Sequence, residues 1–353
     1  MINEKGLDFF TDNVFYNQHM ELSRTLSSLV VNSIDDRLRV LDAFSASGIR
    51  GIRYAKECKN IENMDFLDSE ANAIRAIRKN MKMHKVRGKT IEHEAIHYMI
   101  SSEPGKYNFI ELDPFGSPAP YFHSAIRAMR NEKIAYLSAT ATDTAVLCGS
   151  SANACPRNYH SKPMLNDFCH ETGLRILVRR AMESAHEFNF GIEPLLCFYY
   201  RHQMKIILKL KKGAEGADKN IEKIGYVFSQ DHDGVRAESS RKPVCSMKRY
   251  YDYAGPLWIG DLCNRKTIDA CIKNAEESEK QILKLIRGEM GYPPFFVTTP
   301  SIGKMKKRGI PSMERIFDRL KGNGIKAIRT HFDRNGIKYK GKIEDLIKSF
   351  DSC

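Results

Sequence analysis

Up to Leu210 the chain keeps changing its hydrophobic period, and few folds accept such a sequence. Leu22, Leu26, Leu29 and Val30 recur at helical spacing, whereas residues 38–44, apolar but for Arg39 and Asp42, read as a buried strand. Residues 45–48 read as a tight turn opening a helix through Ile52, and residues 63–67 as a short strand ending at Asp68. A helix over about residues 70–84 turns Ala71, Ile74, Ile77 and Met81 to one side. Strands are expected over residues 89–93, 107–112 and 133–140, with a helix over residues 119–129 between the last two. An irregular loop bearing Cys and Pro then leads to a helix over residues 170–188. Residues 193–200 and 204–210, joined by a turn at residues 201–203, suggest an antiparallel edge hairpin. Strands alternating with helices call for a parallel sheet with right-handed crossovers. The expected core is therefore α/β and Rossmann-like.

Beyond Leu210 that order is lost. Residues 211–244 are charged and glycine-bearing, with one strand candidate at residues 224–228. They read as the seam between a domain of residues 1–243 and a smaller α+β domain of residues 244–353, in keeping with a length that exceeds one ordinary core. In the second domain residues 272–287 and 312–321 are helix candidates, and residues 324–331 a turn into a strand. Lys and Arg crowd residues 304–348, with Phe317, Phe332 and Tyr339 interleaved. The formal net charge is +13. It favours a polyanionic partner, nucleic acid ahead of an anionic membrane, and RNA contact ahead of a merely solvated basic face. No apolar run approaches the roughly 18 residues of a membrane span. With no charged-then-apolar leader either, the expectation is a cytoplasmic chain without membrane contact. The nine cysteines include no C-x2-C pair and fit reduced thiols, most of them small core residues.

Chemistry is expected at the strand ends. The run Asp42-Ala43-Phe44-Ser45-Ala46-Ser47-Gly48-Ile49-Arg50-Gly51 lets a ligand lie close to backbone and helix N–H groups. It lacks G-x-G-x-x-G, which argues against a dinucleotide pyrophosphate; S-adenosylmethionine, having no phosphate, tolerates Ser and Ala there. Arg50 could meet that ligand's carboxylate or be an ordinary surface Arg. Asp68, one strand on, is placed to accept ribose hydroxyls, or else to cap the helix that follows, unless Ser69 takes the cap and leaves Asp68 free. Glu94 and Ala95, after the third strand, would suit an adenine amine and ring face. Asp113-Pro114-Phe115-Gly116 ends an apolar strand. Pro114 biases Asp113 to an extended backbone, Phe115 can stack on a flipped purine, and Gly116 lets the loop pass close to it. A carboxylate there accepts the hydrogens of an exocyclic amine and later its proton. By itself the motif serves adenine as well as guanine.

Val14-Phe15-Tyr16-Asn17, the Ser45–Gly51 turn, Asp113-Pro114-Phe115-Gly116-Ser117-Pro118, Thr140-Ala141-Thr142-Asp143, Leu147-Cys148-Gly149 and Cys169-His170-Glu171-x-Gly173-x-Arg175 together resemble the Trm1 family, the tRNA (guanine-26-N2)-dimethyltransferases. Gly255-Pro256-Leu257-Trp258-Ile259-Gly260 and Arg329-Thr330-His331-Phe332 extend the similarity over nearly the whole chain. The resemblance implies a class I methyltransferase core and S-adenosyl-L-methionine as donor. Its target would be guanine at the junction of the D and anticodon stems of tRNA, with no obligatory protein partner. Cofactor contacts would fall on Arg24, Arg50, Asp68, Glu94 and Ala95. Asp113 would engage the base amine, with Phe15 and Phe115 near the methyl and the base.

Two departures from the family pattern stand out. Gln18 replaces a proline after Phe15-Tyr16-Asn17, and only Cys245 remains of a Cys cluster before Gly255-Pro256-Leu257-Trp258, so no structural zinc is expected. His170 and Glu171 read as a helix-start structural pair, and Asp143 either lines the base pocket or caps a turn. An N6-adenine methyltransferase, a catalytically idle RNA-binding protein and, last, a nicotinamide dehydrogenase are the rival readings.

Overall fold

The computed structural model describes all residues except 232–234, 236, 243–249, 307–308, 310 and 352–353. Seven strands form the central sheet: β1 (Leu38–Ala43), β2 (Ile61–Asp68), β3 (Thr90–Glu92), β4 (Phe109–Leu112), β5 (Ile134–Ala141), β6 (Phe190–Tyr200) and β7 (Gln203–Lys212). Their order is β3-β2-β1-β4-β5-β7-β6, parallel through β5, with β7 antiparallel to both β5 and β6. This is the expected α/β core with its edge hairpin. The order reverses between β1 and β4, so the strand ends there leave a crevice, the usual ligand site of an open α/β sheet.

Side chains leave a strand alternately to its two faces, and the core shows that period. Leu41, Ala43, Ile110, Leu112 and Leu137 belong to one apolar cluster. Val40, Phe66, Phe109, Tyr136 and Ile207 belong to the other. The helices that cover these faces are α1 (Glu21–Asn32), α2 (Ile49–Glu57), α3 (Ala71–His84), α4 (Ala95–Ser101), α5 (Phe122–Met129) and α6 (Cys169–His186). α4 was not foreseen. Its seven residues are capped by the Glu94 side chain, which accepts the His97 N–H at 2.8 Å. A short antiparallel pair, Ile2–Glu4 with Leu7–Phe9, also escaped the reading because three-residue strands carry no usable period.

The expected seam is a sheet. Ile224–Ser229 pairs antiparallel with both Ala237–Ser240 and Asp252–Trp258, so strands on either side of the 243/244 division are hydrogen-bonded to each other. The division itself, and Cys245, fall on residues outside the description. Farther on, the single helix expected over residues 272–287 is two, Arg265–Asn274 and Glu277–Gly288. Asn264 starts the first by accepting the Thr267 N–H at 2.9 Å, and Ala275 and Glu276 are extended between them. Ser312 caps the helix Met313–Gly322 as its residue type suggests. A three-stranded sheet of Val297–Thr298, Gly336–Lys340 and Lys326–Arg329, with a last helix Ile343–Asp351, gives the C-terminal part its α+β character. Among the described residues no helix is long and apolar enough to cross a membrane.

Candidate active site

A cavity of about 730 Å³ opens at the carboxyl ends of β1, β2 and β4, within the range of small-molecule sites. Its floor is the β1–α2 turn. Gly48 takes φ of 78°, and Phe44 and Ala46 take φ of 67° and 48°, left-handed values that non-glycine residues adopt at a cost. The turn is held in that shape by Asp68: its Oδ2 accepts the Ala46 N–H at 2.8 Å, and its Oδ1 the Glu70 N–H at 3.0 Å. Asp68 therefore braces the turn while lining the cavity, and its bond to the Glu70 N–H stops one residue short of the helix, so neither Asp68 nor Ser69 gives α3 a side-chain cap. Gly51 is required by space, since a Cβ there would meet Met64 Cε at 2.4 Å and Phe66 Cε1 at 2.6 Å.

Behind the turn lies a set of buried charges that sequence reading missed. Glu111 of β4 is fully buried and accepts from Tyr54 Oη at 2.9 Å and from Lys205 Nζ of β7. Arg50 places Nε 3.7 Å from Glu111 and donates Nη2 to Asp113 Oδ2 at 2.6 Å. Burial opposes the charge on Asp113, but Arg50 and Lys205 outweigh it and hold the carboxyl below its ordinary range. Asp42 is the opposite case. Burial, reinforced by Glu111 and Asp113, pushes its carboxyl up to about 8 despite Arg50 and the Gly51 N–H. The site thus keeps one carboxylic acid neutral and one carboxylate charged near pH 7, by environment alone.

Asp113 is 20% exposed, at the cavity wall. The loop beyond it turns at Gly116, φ 77°, whose N–H donates to Thr142 Oγ1 at 2.8 Å and whose carbonyl accepts the Thr142 N–H at 2.9 Å. Phe115 and Phe15 stand at the mouth, 77% and 53% exposed, with ring centroids 4.7 Å apart edge to face. Two large aromatic rings left in solvent beside a carboxylate form a surface suited to a planar partner.

Of the residues expected here, Arg24, Arg50, Asp68, Asp113, Phe15 and Phe115 all line this cavity. Arg24 is partly committed: its Nε and Nη2 pair with Glu4 at 2.7 and 2.5 Å, leaving Nη1. Glu4 also receives Arg53 Nη1 at 2.8 Å, so the unforeseen N-terminal strand supplies the counter-charge for both arginines. Glu94 and Ala95 lie outside the lining; one Glu94 oxygen accepts the His97 N–H at the α4 cap, and Ala95 is buried in the core. Asp143 also lies outside it and accepts from Tyr159 Oη at 2.7 Å. Conversely, His19, Thr142 and the β6–β7 turn at Tyr200–Gln203 line the cavity, a role the sequence did not suggest for them. Thr142 stood in the Thr140-Ala141-Thr142-Asp143 motif with no role given to it, and the hairpin turn carried no local signal.

A family model described as "N2,N2-dimethylguanosine tRNA methyltransferase" matches residues 3–351. The tRNA (guanine(26)-N(2))-dimethyltransferase of Methanocaldococcus jannaschii is 35% identical, the match covering 97% of this chain and 93% of the relative. That of Pyrococcus horikoshii is 32% identical over 98% and 94%. The solved complex of Trm1 from Pyrococcus horikoshii with S-adenosyl-L-methionine superposes with a TM-score of 0.89 at 31% identity, covering 99% of this chain and 98% of that one.

Proposed function

The chain belongs to the N2,N2-dimethylguanosine tRNA methyltransferase family. From that premise we propose that it moves one or two methyl groups from S-adenosyl-L-methionine to the exocyclic N2 of guanine 26 in tRNA by direct displacement, yielding N2,N2-dimethylguanosine. The observation that carries this reading is Asp113: a charged, partly exposed carboxylate between two solvent-facing aromatic rings and a turn of small residues.

The donor fits the cavity. No side chain larger than Ser crosses the Ser45–Gly48 turn, so an adenosyl group can approach backbone there. Asp68 keeps acceptor capacity for ribose hydroxyls, since each oxygen receives one N–H and a carboxylate offers about four lone-pair sites. Arg24 Nη1 and the Arg50 guanidinium are the cations we assign to the methionine carboxylate; Arg201 also lines the cavity. Glu94 and Ala95 remain proposed adenine contacts only by their place after β3. When bound, the donor supplies a methyl on a sulfonium centre.

The rest of the chemistry belongs to the chain. Guanine N2 is a weak nucleophile because its lone pair delocalises into the ring. Asp113, held below the usual carboxylate range, is too weak a base to deprotonate it beforehand. It works instead by accepting the amine N–H, which localises the lone pair and fixes its direction, and by taking the proton as the new C–N bond forms. Phe15 and Phe115 would clasp the base. The basic residues from 244 onward would hold tRNA phosphates, in keeping with the net charge of +13. We read the cytoplasm as its compartment, supported by seven free thiols among the described residues.

The test is methylation of unmodified tRNA followed by nucleoside analysis, with tRNA substituted at guanine 26 as control. N2-methylated guanosine lost with that substitution is expected; methyladenosine would overturn the reading. Asp113→Ala should keep donor binding while transfer falls by about 10² to 10³. A wild-type rate in that variant would remove Asp113 from the mechanism.

A further inference from the structure

Two motifs of this chain, Leu147-Cys148-Gly149 and Cys169-His170-Glu171-x-Gly173, have no part in the chemistry above, yet the fold brings them together. Cys148 follows the short helix Thr144–Leu147, and Cys169 and His170 open α6. The Sγ atoms of Cys148 and Cys169 and a ring nitrogen of His170 all lie within 4.8 Å of one another. The glycines of the motifs make the approach possible. A Cβ on Gly173 would meet the Leu147 carbonyl oxygen at 3.0 Å, and one on Gly149, at φ 94°, would meet Leu165 N at 3.1 Å. Both thiols are buried, and the His170 ring is stacked on Tyr199 at 4.0 Å and 14°, which fixes its direction. Asp333 and His202 are its charged or titratable neighbours from other elements.

We propose that Cys148, Cys169 and His170 form a site for a borderline-soft divalent metal of the zinc class. Two thiolates and one imidazole are a zinc donor set, leaving a fourth corner for water. Zinc bonds of about 2.3 Å to sulfur and about 2.0 Å to nitrogen put tetrahedral ligand atoms roughly 3.5–3.8 Å apart, a small side-chain closure from the present spacing. Binding would release the two thiol protons, and the start of α6 favours the Cys169 thiolate. The absence of C-x2-C does not bear on such a site, because its ligands come from separate segments. Its place gives it a use: it would tie the segment beginning at Thr142, which holds Gly116 of the Asp113 loop, to the first turn of α6.

The test is titration of the reduced, chelator-treated full-length protein with Co²⁺ alone, then Zn²⁺ in competition with a chromophoric chelator. One Co²⁺ per chain with a near-ultraviolet thiolate charge-transfer band is expected, together with a rise in melting temperature on Zn²⁺ addition. Cys148→Ser and Cys169→Ser should each weaken Zn²⁺ binding by about 100-fold or more, the scale on which even outer-shell losses reach. His170→Ala, with circular dichroism checking that the fold is kept, should weaken it while keeping the thiolate band. Absence of stoichiometric Co²⁺ uptake by the wild type overturns the proposal. So does unchanged affinity in the Cys148→Ser/Cys169→Ser double variant.

Discussion

Two groups of buried charge anchor this molecule. At the strand ends, Arg50, Glu111, Asp113 and Lys205 contact one another beside the cavity. Between α6 and the C-terminal strands, Glu171 receives Arg175 at 2.9 and 2.8 Å and Lys338 at 2.6 and 2.7 Å. Arg175 further donates to the carbonyls of Trp258 and Gly260, and Lys338 to that of Pro293. Every member of this second group is at most 4% exposed. In the first group Asp113 keeps an edge toward the cavity. The closed group joins α6 to the Gly255–Gly260 motif and to the last sheet; the open one keeps acceptor capacity for a molecule that is not the protein. Charge buried without an opening is structural cement, and charge buried with one is a site.

That contrast can be broken experimentally. Glu171→Ala strips the closed group of the carboxylate that receives both cations, leaving Arg175 and Lys338 near each other in burial. It should cost about 3–5 kcal/mol in urea unfolding, with donor affinity of the folded fraction unchanged. A variant of normal stability but poor donor binding would erase the distinction. Phe115→Ala, at the open edge, should do the reverse. Stability should hold, since the ring is exposed, while kcat/KM for tRNA falls by the equivalent of about 1–3 kcal/mol of base stacking; an unfolded or fully active variant would contradict it.

A pH-dependent effect sharpens the open group from within. Asp42, raised to about 8 in the fold, binds its proton more tightly folded than unfolded. Its stabilising contribution is therefore complete below the ordinary aspartate value of 3.8 and is lost progressively as pH rises from there to about 8, by at most about 1.4 kcal/mol per pH unit. Asp42→Asn keeps an acceptor for the Gly51 N–H, 3.2 Å away, and removes the titration. Melting temperatures from pH 6 to 9 should then fall less than in the wild type; parallel curves would mean that Asp42 does not titrate there.

Much of the first 212 residues was legible because burial on both sheet faces imposes long apolar runs, and helices between them impose a different period. Asp68, Arg50 and Asp113 could be placed because strand ends on one edge of a parallel sheet converge. What stayed hidden depends on partners distant in sequence. Glu111 between Ile110 and Leu112, and Lys205 between Met204 and Ile206, are lone charges in buried strands, and each implies an unseen counter-charge. Glu4 held two arginines from a strand too short to recognise. The break at Ala275 was masked by apolar residues that keep helical spacing across it, and the sheet across the seam joins residues on both sides of a segment that composition marks as a divide.

The Phe15–Phe115 contact has an energetic consequence for recognition. A planar base entering between the two rings must part them, forfeiting an edge-to-face interaction worth about 0.5–1.5 kcal/mol. Apparent affinity for any base offered alone is then lowered by roughly two- to twelve-fold. A free nucleoside would bear that penalty with nothing to offset it, whereas a base delivered on a polyanion held elsewhere on the chain would arrive at high effective concentration. On the proposed reading, the closed pair of rings would act as a threshold that screens out small purines and admits the same purine when a larger molecule carries it.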